Sequence, residues 1–168
     1  MADVKDFELF HGIVLTKLVR ADRPVTLRMI ETNPSKAWAA YKINDAVIIY
    51  AKYRTNPRRS TRHKGSYTWS FPFANDELRV LSQLQDDAQV YLTLICARQK
   101  IRGRNASMYT CLIEPADIEE LIDLSSTTSQ CISVKYIPRC SFRVRGSMIP
   151  RELLIHRNDL DQWQVPGS

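Results

Sequence analysis

The sequence predicts an α+β protein: a mixed β-sheet with an N-terminal helix, two further helices and a C-terminal antiparallel meander. Three patterns carry that prediction. Apolar residues recur at three- and four-residue spacing at the N-terminus and in two later segments, which is the helical period. Between them lie apolar runs too short for buried helices and rich in β-branched and aromatic residues. Towards the C-terminus, apolar and charged side chains alternate, the period of a half-buried strand.

The first helix is read over Val4 to Arg20, where Phe7, Phe10, Val14, Leu18 and their neighbours Ile13 and Leu15 recur at three- and four-residue spacing and Asp3 serves as N-cap. Ala21-Asp22-Arg23-Pro24 breaks it. Two strands follow, Val25 to Glu31 and Ala37 to Ile43, with the turn-rich Thr32-Asn33-Pro34-Ser35-Lys36 between them. After Asn44-Asp45 comes the apolar strand Ala46-Val47-Ile48-Ile49-Tyr50-Ala51, and later a strand over Tyr67 to Phe73. Asn75 caps a helix from Asp76 to Gln85 with Leu78, Leu81 and Leu84 on one face. Gln89 to Ala97 and Met108 to Ile113 are strands, and Glu114 caps a helix with Pro115 at its first position and Ile118, Leu121 and Ile122 inward. The meander comprises Cys131 to Ile137, Ser141 to Gly146 and Glu152 to His156, and the tail from Asn158, with Trp163, docks loosely.

At 168 residues the chain is expected to form one domain over residues 1–168, burying about two thirds of its unfolded surface without disulfides. Cys96, Cys111, Cys131 and Cys140 lack any Cys-x-x-Cys spacing and are read as reduced, mostly buried thiols. The acidic N-terminus is the wrong order for a secretory signal, and no apolar run reaches the roughly 18 residues of a membrane helix. A cytoplasmic protein without membrane contact is the expectation.

Charge is distributed unevenly. No acidic residue lies between Asp45 and Asp76, and that window holds Lys52, Arg54, Arg58, Arg59, Arg62 and Lys64, six positive charges in a chain whose net charge is +6. A second acid-free window, Ala88 to Ile113, holds Arg98, Lys100, Arg102 and Arg104, and a third, Leu124 to Arg151, holds Lys135, Arg143 and Arg145. The acids gather on the two later helices. An electrically two-faced molecule with an anionic partner is expected, and these thirteen basic residues are the candidate phosphate contacts.

In the basic hairpin, Ile132, Val134, Tyr136, Phe142 and Val144 face inward, and Ser133, Lys135, Arg143 and Arg145 face outward. A two-residue turn would pair Lys135 with Phe142 and bury a charge; a loop Pro138-Arg139-Cys140 pairs Lys135 with Arg143 and Tyr136 with Phe142. The longer loop is expected, with two like charges opposed at a cost of about 0.2–1 kcal/mol unless a counter-charge is near. Splaying into water or occupation of that face by phosphates would each relieve it.

The order helix, two strands, central strand, strand, helix, strand resembles the core of the restriction-endonuclease-like fold. That resemblance implies an acid on one strand and an Asp/Glu-x-Lys element on the next, holding a divalent metal beside the attacked phosphate. Lys52 after Asp45 is the place to try the match, and it fails. Seven positions put the two on opposite strand faces roughly 23 Å apart, and Tyr50 stands where a carboxylate is needed. Asp3-Val4-Lys5 is the chain's lone Asp-x-Lys. Phe10-His11-Gly12, Trp69-Ser70-Phe71 and Leu94-Ile95-Cys96 are similar to segments of small uncharacterised bacterial proteins. His11, His63 and His156 have no metal-ligand spacing, the glycines form no phosphate loop, and no Gly-x-Ser-x-Gly elbow exists, so no catalytic residue, metal or cofactor is predicted. His11 is read as a helix residue packed near Phe7 or Leu15.

The favoured function is nucleic-acid binding through phosphates by a non-catalytic or degenerate nuclease-like module, with Tyr53, Tyr67 and Trp69 stacking on bases if exposed and otherwise in the core. A protein-interaction module meeting an acidic partner, as in a bacterial defence or toxin system, is the alternative. An enzyme with a site assembled through space would need Lys52, an acid such as Glu8 or Asp45, and a metal in one pocket. Were Tyr67 to Phe73 and Gln89 to Ala97 parallel in one sheet, the basic loops would emerge at opposite sheet ends.

Overall fold

The computed structural model describes residues 5–19, 25–98, 107–157 and 159–166. Asp3, Lys100, Arg102, Arg104, Asn158 and the break at 21–24 lie outside the described residues.

The α+β class, the N-terminal helix and the C-terminal antiparallel meander are present. Helix α1 runs Asp6–Val19, followed by β1 (Leu27–Asn33), β2 (Trp38–Ile43) and β3 (Val47–Arg54). The short β4 (Arg58–Arg59) precedes β5 (Tyr67–Phe73), α2 (Asn75–Asp87) and β6 (Gln89–Arg98). Then come β7 (Ser107–Ile113), α3 (Pro115–Leu121), β8 (Gln130–Tyr136), β9 (Phe142–Gly146), β10 (Leu153–Ile155) and α4 (Asp159–Gln162).

The strands form two sheets. The first, β1-β2-β3-β6-β7, is mixed: β1, β2 and β3 meander antiparallel, β6 lies parallel to β3 with Lys52 beside Leu94, and β7 returns antiparallel. The second, β10-β9-β8-β5-β4, is antiparallel throughout. Their residue patterns explain the division. Val47 to Lys52 of β3 and Val90 to Ala97 of β6 are buried without interruption, as a strand covered on both faces requires. In β5, Tyr67, Trp69, Phe71 and Phe73 are buried while Thr68, Ser70 and Pro72 point the other way, so one face looks outward.

The first sheet is the middle layer. On one face Phe10, Val14 and Leu18 of α1 and Leu160 of α4 pack against Tyr41, Ile49, Tyr91 and Ile95. Trp163 packs edge-on against Tyr91 at 5.2 Å, and Lys17 pairs with Asp161, so the tail is docked on α1 and this sheet. On the other face Tyr50, Leu92, Leu94 and Cys111 meet Trp69, Phe71, Phe73, Val134, Phe142 and Val144 of the second sheet, with Leu78, Leu81 and Leu84 of α2 and Ile118 and Leu121 of α3 closing the rest. Each such large apolar side chain stabilises the fold by about 1.5–3 kcal/mol. Trp69 is core: its Nε1–H donates to the Ala97 carbonyl at 2.8 Å and ties the sheets together.

Gly146 lets β9 pass the last turn of α3. A Cβ there would lie 1.9 Å from the Leu121 carbonyl oxygen, and two residues on, the Met148 N–H donates to that same oxygen at 3.0 Å. The cap of α2 differs from the expected one: Ala74 holds the N-cap position without a side-chain bond, and Asn75 is the first helical residue. Glu114 is the N-cap of α3, and its side chain makes no capping bond. Cys96 and Cys111 are buried free thiols as expected; Cys131 is half-buried on the outer face of β8, and Cys140 is exposed in the hairpin loop. His11 is buried against Phe7 at 4.4 Å.

Candidate functional site

The register of the second sheet aligns residues from separate parts of the chain. Arg58 pairs with Thr68, Thr68 with Lys135, Lys135 with Arg143, and Arg143 with Leu154. Cross-strand partners share a face, and Trp69, Val134 and Val144 in the neighbouring positions point inward, so this row points outward. Arg58 and Arg143 are three strand spacings apart, about 14 Å. The next outward row is Ser70, Ser133 and Arg145. None of the five strands contains an acidic residue. Two of the three basic windows thus meet on one exposed face.

The hairpin has the expected register, with Lys135 opposite Arg143 and Arg139 in the left-handed conformation at φ 64°. A counter-charge sits beside the opposed pair. Glu152, just before β10, lies 3.6 Å from Arg143 and 2.9 Å from Arg145. The proviso of a nearby counter-charge is met on that side: Arg143 and Arg145 share the Glu152 carboxylate, so the face carries Arg58, Lys135, Arg143 and Arg145 with one anion. Exposed pairs of this kind stabilise by about 0–1 kcal/mol, so phosphate can compete for either guanidinium. Lys135 has no carboxylate partner among the described residues.

A second basic cluster forms at the top edge of the same sheet. Arg59 pairs with Tyr67, its guanidinium carbon is 5.9 Å from the Tyr67 ring centroid, and that of Arg98, at the end of β6, is 4.4 Å from it. Hydrogen bonds from Arg98 and then Arg59 hold the Tyr67 phenol below its usual pKa. Tyr136 and Tyr109 stack with centroids 4.3 Å apart, and Arg157 sits over Tyr136 at 5.6 Å. Because β5 and β6 belong to different sheets, the loop entering β5 and the strand end leaving β6 meet. Among the described residues, Arg59 of the first basic window and Arg98 of the second come together at one end, at Tyr67. Arg62 and Lys64 are exposed in the connection between β4 and β5. Asp86 and Asp87 close α2 at the opposite end of β6.

Lys52 is a correction. It is 3 % exposed, and its Nζ donates to the Pro72 carbonyl and to Glu77 Oε2 at 2.7 Å, beneath the Phe73 ring at 4.8 Å. Tyr50 donates its hydroxyl to the same Glu77 oxygen at 3.0 Å. Burial pulls the Lys52 pKa below the usual lysine value, opposed by Glu77 and reinforced by Arg54 and Lys36. Burial, with the Glu77 carboxylate, pushes the Tyr50 phenol well up. Lys52 is therefore not among the exposed basic residues of the second sheet's outward face. Neither Glu8 nor Asp45 is its acid: Glu8 accepts from the Lys5 backbone and Asp45 lies 3.9 Å from Arg28.

Glu77 was not singled out from the sequence, yet a signal exists. It is one residue before Leu78 and spaced four and seven residues from Leu81 and Leu84, an acid on the apolar stripe of α2. Beside Lys52 and Glu77 opens a cavity of about 320 Å³, also lined by Ser35, Lys36, Ala37, Arg54, Pro72 and Ala74. No group of three or more metal-ligating side chains occurs among the described residues, and no described helix is long and apolar enough to cross a membrane. No protein-family model, curated protein or solved structure matches the chain.

Proposed function

We propose that this protein binds nucleic acid through its phosphates, on the outward face of the second sheet and the arginine-rich edge beside it, without catalysing a reaction. The observation that carries the reading is the transverse row Arg58, Thr68, Lys135 and Arg143 on a sheet without acids in its strands. Small side chains at Thr68, Ser70 and Ser133 leave the backbone of a strand room to lie across the row. Arg59, Arg98 and Tyr67 supply a neighbouring contact, where guanidinium planes can also stack on bases. Trp69 takes no part, since it is core.

The likeness to the restriction-endonuclease-like core fits a lapsed form in this reading. The helix, the three-strand meander and the later helix leading into a strand parallel to β3 are compatible with that order, whereas the strand Tyr67–Phe73 that the order includes lies in the second sheet. Tyr50 stands in the acid position, and Lys52 is engaged with Glu77. Both features argue against metal-assisted cleavage at Lys52.

The test is a binding titration of duplex DNA, single-stranded DNA and RNA with the wild type, Lys135→Ala/Arg143→Ala and Arg58→Ala/Arg59→Ala. Each double variant is expected to lose about tenfold or more in affinity, since each removes two phosphate contacts. Unchanged affinity in both would remove the sheet face from the site. Saturation by an acidic protein with weak salt dependence, and no binding to any nucleic acid, would replace this reading with the protein-partner one.

A further inference from the structure

The cavity beside Lys52 is separate from the sheet face and has the chemistry of a binding site for a single phosphate group. We propose that it holds a phosphate monoester, either on a small molecule or at the end of a nucleic-acid strand, between Arg54 at its mouth and the Lys52 ammonium at its floor. Four observations lead there. Lys52 lines the cavity although it is only 3 % exposed, which sets a buried cation in the cavity wall beside Glu77. An ammonium carries three N–H donors; the Pro72 carbonyl and Glu77 take two, and no described residue accepts the third. Arg54 is exposed at the end of β3 and lines the same cavity, and its guanidinium has no hydrogen-bond or ion-pair partner among the described residues.

The fourth observation is the charge balance. Lys36, Lys52 and Arg54 line the cavity against one carboxylate, Glu77, whose Oε2 already accepts from Lys52 and Tyr50. Lys36 is paired with Asp76, which leaves one positive charge in excess around the opening. The Ser35 hydroxyl, bonded to Asn33, adds a polar group to the wall. A volume of about 320 Å³ is at the lower end of small-ligand sites, roughly 300–1,000 Å³. It suits a phosphate with a small attached group.

A buried ion pair gives a fold little net stability compared with apolar residues of the same size. A pair that opens onto a cavity with an unpaired arginine at its mouth is therefore read as recognition machinery. The ammonium and guanidinium would share the phosphate oxygens, Lys as a point charge and Arg through its planar fork.

The inference stands independently of the sheet face, and the experiment keeps the two apart. Inorganic phosphate is titrated into the full chain at constant ionic strength, balanced with chloride, and followed by calorimetry and by amide shifts of residues 35–37, 52–54 and 74–77. Saturable binding is expected, weakened at least tenfold by Arg54→Ala, an exposed position whose loss leaves the core intact, and changed less than twofold by Lys135→Ala/Arg143→Ala. Oligonucleotides with and without a 5′ or 3′ phosphate then identify the source. A terminal phosphate that raises affinity at least fivefold in the wild type but not in Arg54→Ala assigns the site to strand ends; equal affinity, with inorganic phosphate still bound, assigns it to small phosphate esters. Absence of saturable phosphate binding, or phosphate binding indifferent to Arg54→Ala, overturns the proposal.

Discussion

Lys52→Met removes the ammonium from an ion pair whose two members are each 3 % exposed. The Glu77 carboxylate is then buried with only the Tyr50 hydroxyl to serve it, and the Pro72 carbonyl loses its donor. Breaking a buried pair from one side costs about 3–5 kcal/mol, a large share of the roughly 5–15 kcal/mol that holds a domain of this kind together. With a urea m-value of about 2 kcal/mol/M, the unfolding midpoint falls by about 2 M. Glu77→Leu alone leaves Lys52 unpaired and is expected to cost about as much. Lys52→Met/Glu77→Leu replaces both charges by apolar groups beneath Phe73 and is expected within about 1 kcal/mol of the wild type, or above it. The coupling energy across the cycle is therefore at least about 5 kcal/mol. Urea unfolding of the four proteins, monitored by tryptophan fluorescence, measures it. A double variant as damaged as the sum of the singles would refute the claim that Lys52 and Glu77 act as one unit.

Two further outcomes follow from burial and backbone proximity. His11 has both ring nitrogens buried without a partner, and burial lowers its pKa from 6.5 to about 4. The unfolded chain then binds the extra proton between those values, so this contribution is complete above about pH 6.5 and is lost as pH falls towards 4. The loss amounts to about 3 kcal/mol; chemical unfolding against pH should show that slope, flattened in His11→Phe, and a His11→Phe profile parallel to the wild type would contradict the assignment. Gly146→Ala drives a Cβ into the Leu121 carbonyl and is expected to cost about 1–3 kcal/mol or more by overpacking; a thermal midpoint unchanged by this substitution would show that β9 and α3 can separate freely.

Much of the architecture was legible because local pattern and tertiary demand agree. The one-sided alternation of Tyr67, Trp69, Phe71 and Phe73 and the two-sided apolar run of β3 gave both strands, and the inward set of the C-terminal hairpin fixed its register with Lys135 opposite Arg143. The pairing of β5 with β8 was not legible: those strands are separated by two helices and two strands, and nothing local encodes which distant edge a strand will join. That partnership is what places Arg58 in line with Lys135, and the packing of the second sheet on the first brings Arg98 of β6 to Tyr67. Lys52 was misplaced for a related reason. A lysine late in a strand can point to solvent or turn back under a ring, and only the helix following β5 decides, by presenting Glu77. The acid on the apolar stripe of α2 is the available signal, and it lies 25 residues beyond Lys52, on a different element.

The central claim is that phosphates lie across the outward row of the second sheet, and the dependence of binding on salt addresses it most directly. With about four phosphate contacts from Arg58, Arg59, Lys135 and Arg143, log K against log salt concentration should fall with a slope of about −3 for single strands to −4 for duplex. In Lys135→Ala/Arg143→Ala the slope should shrink by about 2 for duplex. A wild-type slope near zero, or one that the double substitution leaves unchanged, would contradict the account.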